Sequence, residues 1–185
     1  MPLPLIAFST PPSERKQLAA KGRELCEQGL AKNDAADALD LVENQLKSNH
    51  ADVIHDLLAF LAERMIELNK EKQTTAGKFL GDLKDFHGID AHSLTPKTKL
   101  DKFWKLESAD VFAHLRKNTK ALATQGIRLK ETDEEKIRAR FQKAKENLVP
   151  LAAQIAFTDR LIDQIVYALY GLTRDEIKIV EESDQ

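Results

Sequence analysis

The stretch that most constrains this chain is its last long apolar run, Asn147 to Glu181. Leu148, Leu151, Ile155, Ile162, Ile165, Val166 and Leu169 recur at steps of three and four, which sets them along one stripe of a helix. Asp159, Arg160, Asp163 and Gln164 fall mostly on the other side. Such a stripe is stable only against a partner. Gly171 follows the last periodic residue and suits the left-handed turn that ends a helix, with Leu172 folding back on it. Thr173 and Glu176 have capping-box spacing, so a short docking helix carrying Ile177, Ile179 and Val180 should start at once.

The partner stripe lies upstream. From Ala51 or Asp52, Val53, Ile54, Leu57, Leu58, Leu61, Met65 and Leu68 continue into Ala76, Phe79, Leu80, Leu83 and Phe86. Unbroken, this helix would span about 50 Å at 1.5 Å per residue. Gly77 and Gly81 weaken its second half and allow a bend there. Run antiparallel, the two long helices would bury their stripes against each other in a coiled-coil-like arm.

Shorter elements fill the rest. A first helix is predicted from near Thr10, with Pro11 in its first turn, to Lys32-Asn33-Asp34; its face is Leu18, Gly22, Leu25 and Gly29 or Leu30. Asp34 can cap a second helix bearing Leu39, Val42 and Leu46. His87-Gly88 should stop the long helix, and Leu94-Thr95-Pro96 reads as a turn. Thr98 to Leu106 is expected to be a short helix showing Leu100, Phe103 and Trp104, and Ser108 to cap another that ends at Gly126. Thr132 with Glu135 should open the final long helix, and Pro150 should kink or break it. The expectation is an all-α helical bundle: an extended arm over 1–9, a short helical pair over 10–50, and a long-helix module over 51–185, with 10–185 as one continuous unit.

Composition narrows the function classes. The 185 residues carry a formal net charge of -2, so there is no overall basic field of the kind a free-standing DNA-binding domain has. Charged residues make up 31% of the chain while glycine and proline are few, which suits surface-charged helices. The single cysteine, Cys26, has no internal partner for a disulfide, in keeping with a cytoplasmic location. No apolar run is long enough for a membrane span. The opening Met1 to Phe8 lacks a basic flank and a cleavage site, and reads as an extended arm cut from something larger.

No catalytic constellation stands out. Acid-x-Lys triplets occur at Glu14 to Lys16, Glu134 to Lys136 and Glu176 to Lys178, but each lies near a helix start, where the helix dipole favours acids. His50 with His55, and His87 with His92, are five apart and do not share a helix face, so no metal is expected. Cys26, between Glu24 and Glu27, reads as an inert thiol. There is no glycine-rich phosphate loop and no nucleophile elbow, and hence no expected cofactor.

One local bias has functional content. Between Pro96 and Lys130 nine basic residues face three acids. Lys97, Lys99, Lys102, Lys105, Arg116, Lys117 and Lys120 are the candidates for contact with DNA phosphates, which would give salt-dependent binding with little sequence information. The competing reading is a solvated lysine face with Phe103 and Trp104 in the core, since neither aromatic alternates regularly with the basic residues. Tyr167 and Tyr170 likewise read as the edge of a packed stripe.

Asp159 to Glu181, with Leu169-Tyr170-Gly171-Leu172-Thr173 and Glu176-Ile177 as its most distinctive part, resembles the extreme C-terminus of type IIG restriction-modification enzymes. Such enzymes join an endonuclease, an adenine-N6 DNA methyltransferase and a target-recognition region in one chain. Asp52 to Gln73 looks like a helical segment further upstream in them, and Ile6 to Pro12 like the lead-in before it. Their Asn-Pro-Pro-Tyr-type and glycine-rich cofactor motifs do not occur here. The resemblance implies a non-catalytic C-terminal spacer that positions target recognition, with the methyltransferase and target-recognition parts, and duplex DNA, as partners. A free-standing helical protein that docks on a methyltransferase or nuclease would carry the same features.

Overall fold

The computed structural model describes residues 6–124 and 126–183, and among them only helices, turns and loops occur. Of the arm expected over 1–9, positions 1–5 lie outside the described residues. The α-helices are α1 (Pro12–Lys32), α2 (Ala36–Lys47), α3 (Ala51–His87), α4 (Ser108–Lys117), α5 (Thr119–Thr124), α6 (Glu131–Tyr170) and α7 (Arg174–Ser183). Short 3₁₀ turns cover Ala91–Ser93 and Phe103–Lys105. The molecule is all-α. Packing groups the described residues into one compact unit that runs up to Glu67 and resumes at Gln154, and a second, Leu68–Ala153. The long helices α3 and α6 each give part of their length to both.

In the first unit, Cys26 of α1, Ala38 and Val42 of α2, Ile54, Leu57 and Leu61 of α3, and Phe157, Leu161 and Ile165 of α6 form the core. The face of α1 is narrower than its leucines suggest, for Ala19, Gly22, Cys26 and Gly29 are the buried positions and Leu18, Leu25 and Leu30 are half-buried. Small residues let the helix come close: a Cβ on Gly22 would meet Leu41 at 3.1 Å, and one on Gly29 would lie 2.5 Å from the Asp34 carbonyl oxygen. The lead-in is anchored by Asp52. Its buried carboxylate accepts from the Thr10 amide at 3.0 Å, from the Thr10 hydroxyl and from the Val53 amide. One turn on, Asp56 accepts two bonds from the Arg15 guanidinium, at 2.6 and 2.8 Å. Burial pushes the Asp52 pKa up, but these hydrogen bonds and the Arg15 charge outweigh it and leave it below the usual carboxylate range.

In the second unit, Phe79 and Leu83 of α3 meet Ile89, Leu94, Leu100, Phe103, Val111, Phe112, Leu115 and Leu122, and Ile137, Phe141, Ala144 and Leu148 of α6. Phe79, Phe103 and Phe141 cluster with ring centroids 4.3 to 6.1 Å apart.

Several helix ends differ from expectation for reasons visible in the bonds. The first helix starts at Pro12, with Pro11 as its cap residue. Residues 98–106 form turns and one 3₁₀ turn in place of an α-helix, and Leu100 and Phe103 are nonetheless drawn into the core. Glu107, which shares a capping box with Asp110, precedes α4, and Ser108 is its first residue. That helix already ends at Asn118, and Gly126, at φ 77°, closes α5. Asp133 caps the Lys130 amide at 3.1 Å, so α6 begins one residue before Thr132. Pro150 does not interrupt α6, which runs through it to Tyr170. A proline loses one backbone bond, and the turns on either side still hold theirs. At the far end Gly171 has φ 63° and the Leu172 amide bonds the Tyr167 carbonyl at 3.0 Å, while Thr173 and Glu176 cap each other. No residue of α7 is buried; Ile179 and Val180 are exposed, so the docking expected of that helix is confined to half-buried Ile177.

Candidate functional site

The basic segment Pro96 to Lys105 sits on the second unit because its apolar members are trapped beneath it. Leu94, Leu100 and Phe103 are each at most 1% exposed. Its near end is clamped by Asn118, a buried side chain that accepts from the Thr95 amide at 2.8 Å and donates to the Thr95 carbonyl at 3.1 Å and the His114 carbonyl at 2.9 Å. The far end is held by Lys145, which donates to the Leu106 carbonyl at 2.9 Å and to Glu107 at 2.8 Å. With its apolar side chains used inward, the segment turns its lysines out. Lys97, Lys99, Lys102 and Lys105 are all exposed.

Of the seven candidate cations, two come together. Lys99 from the loop and Lys117 from α4 line one cleft with Pro96, Asp110, Ala113 and His114. His114 is 5% exposed, its Nε2 is buried and unpartnered among the described residues, and burial, with the charges of Lys99 and Lys117, lowers its pKa. The ring is therefore neutral at neutral pH, and the positive charge of the cleft comes from the two ammonium groups, opposed by Asp110 alone. Arg116 is engaged elsewhere, paired with Glu134 at 2.7 Å. Lys97, Lys102, Lys105 and Lys120 project to solvent outside that cleft.

The aromatics of the segment are structural. Phe103 is fully buried and Trp104, half-buried, packs edge-on against it at 5.6 Å. The acid-x-Lys triplets also serve structure: Glu14 and Glu134 lie in first turns, and Glu176 completes a cap. The histidines separate, His50 to Gln45 and, at longer range, His55 to Asp56, His87 to Asp133 and His92 to Asp101. Among the described residues no group of His, Cys, Asp or Glu is placed to hold a metal ion. Cys26 is fully buried, and burial with the nearby Glu27 charge pushes its thiol up to about 12, so it is not nucleophilic at neutral pH. The cleft beside the lead-in in the first unit, lined by Phe8, Arg15, Arg23 and Glu27 among others, has its Arg15 consumed by Asp56. No described helix is long and apolar enough to cross a membrane.

Asn118 and His114 are the members that sequence reasoning missed. Neither has a local signature, since the clamp joins residues 23 apart.

Residues 51–166 match the model of a family described as Domain of unknown function (DUF8810). The match begins at the first residue of α3 and takes in all seven candidate cations. No curated protein and no solved structure matches the chain.

Proposed function

The chain belongs to the DUF8810 family, and because that membership assigns no activity, we propose a role from the residues themselves. It is a non-catalytic, cytoplasmic helical module of a type IIG restriction enzyme and DNA adenine methyltransferase. It helps to position target recognition and contacts DNA phosphates through its basic segment. The observation that carries the DNA contact is the pairing of Lys99 with Lys117 on one cleft, beside a loop whose lysines are held outward by Asn118 and Lys145. A loop backbone held in this way presents its lysines to a phosphate chain without the cost of ordering the loop. The parentage rests on the likeness of Asp159 to Glu181 and Asp52 to Gln73 to such enzymes.

A second reading, a free-standing protein docking on a methyltransferase or nuclease, is favoured by one observation. The capped helix α7 has no fully buried residue and leaves Ile179 67% exposed.

Fluorescence anisotropy of the whole chain against a labelled duplex, across a salt series, separates the two. Under the first reading affinity falls steeply with salt. Changing Lys97, Lys99, Lys102 and Lys105 together to Ala lowers the salt slope by about one for each lysine that touches a phosphate. Absence of binding at low salt would sink the phosphate role and leave the docking reading.

A further inference from the structure

The second unit carries another polar groove that shares no residue with the Lys99 cleft. Thr75, Lys78, Asp82 and Phe86 follow one another on α3 at steps of three and four, which places them along one face. Arg140, Lys143 and Asn147 do the same on α6, and the two rows line a cleft of about 410 Å³. Three cations there face one carboxylate. Phe86, at the exit of α3, is 65% exposed although it is a large apolar ring. The Arg140 guanidinium lies over that ring, 4.0 Å from its centroid, and its approach to Asp82 is 3.7 Å, beyond hydrogen-bonding range. Arg140 Nη1 is buried and has no hydrogen-bond partner among the described residues. The arginine is thus held by stacking, and its charge is not consumed by a bidentate carboxylate pair. Lys78 and Lys143 are exposed beside it.

We infer that this groove binds a nucleotide unit, its base against the exposed side of Phe86 and its phosphate among Lys78, Arg140 and Lys143. A planar ring and a phosphate in one ligand match the two kinds of surface the groove offers, and an aromatic that carries a base is indifferent to which base it is. The hydroxyl of Thr75 and the amide of Asn147 add polar partners at the rim. The nucleotide can be free or part of a single strand.

The test uses the whole chain and a labelled single-stranded oligothymidylate, read by anisotropy, with an abasic strand of equal length as comparison. Phe86→Ala should weaken the thymidylate roughly tenfold and the abasic strand distinctly less, since only the stacked Arg140 is disturbed there, whereas Phe86→Tyr keeps the affinity. Lys78→Ala with Lys143→Ala should weaken both strands. Competition by adenosine monophosphate assigns the site to free nucleotides; strand binding that the monophosphate does not displace assigns it to polymer. Three results overturn the inference: no binding of strand or monophosphate at low salt, no effect of Phe86→Ala, or displacement by inorganic phosphate as effective as by the monophosphate. A Lys99→Ala, Lys117→Ala variant run alongside keeps the two proposals apart, since it should weaken duplex binding and spare the response to Phe86.

Discussion

Asn118 shows how one side chain can set a surface. By accepting from the Thr95 amide and donating to its carbonyl, it replaces the partners a strand would have given that residue, and it does so while 7% exposed. Asn118→Ala should therefore leave two backbone groups of Thr95 unmet and cost about 1–3 kcal/mol. Chemical denaturation would read that loss. The freed loop should also bind duplex DNA more weakly, because Lys99 no longer stays beside Lys117. A variant as stable as the native chain would show that water replaces the clamp. Nothing in the sequence announces this residue, for an asparagine after α4 reads equally well as an ordinary helix stop. The same holds for Thr10 and Asp52, which lie 42 positions apart. Cys26 was legible, since an apolar helix face beside two glutamates already describes a buried, unreactive thiol, and burial lifts it to about 12.

Helices could be read wherever their ends are written in adjacent residues. Gly88 and Gly171 stand at positive φ where helices stop, and Thr173 with Glu176 opens α7 as its spacing requires. Errors arose where two local rules compete. Thr132 and Glu135 offered a cap, and Lys130 with Asp133 took the position instead. Pro150 is the strongest case, because proline ends most helices and here sits inside one of 40 residues. Leu148 and Leu151 on either side are buried, so packing of the stripe holds the turn that proline weakens. Pro150 itself is exposed. Pro150→Ala should restore a backbone bond to Glu146 and raise stability by about 1–3 kcal/mol, visible as a higher denaturation midpoint at unchanged slope. A drop in stability would mean that the backbone conformation the proline fixes is itself required by the packing.

At the scale of the molecule, periodicity was enough for the all-α class, but not for the grouping, since a stripe says that a helix is buried and not against what. Two separate cores result, and they differ in what acid does to them. His87 and His114 belong to the second unit. Burial holds both below the ordinary histidine pKa; Arg140 and Lys136 act with it at His87 against Asp133 and Asp82, and Lys99 and Lys117 act with it at His114. A histidine kept neutral in the fold and charged when unfolded contributes stability above its unfolded pKa of about 6.5 and loses it as pH falls towards the lower folded value. Asp52 and Asp56 belong to the first unit, and both are lowered, by hydrogen bonds from Thr10 and Val53 with the Arg15 charge in one case and by Arg15 foremost in the other. Their contribution is full above about 3.9 and is lost only as pH falls through the folded values below it. Acid should therefore loosen the second unit first. Amide hydrogen exchange between pH 7.5 and 5 should quicken around Phe112 and Phe141 while the amides around Leu61 and Leu161 keep their protection, and His87→Phe with His114→Phe should abolish the difference. Equal loss in both units over that range would show that the buried histidines do not govern the response.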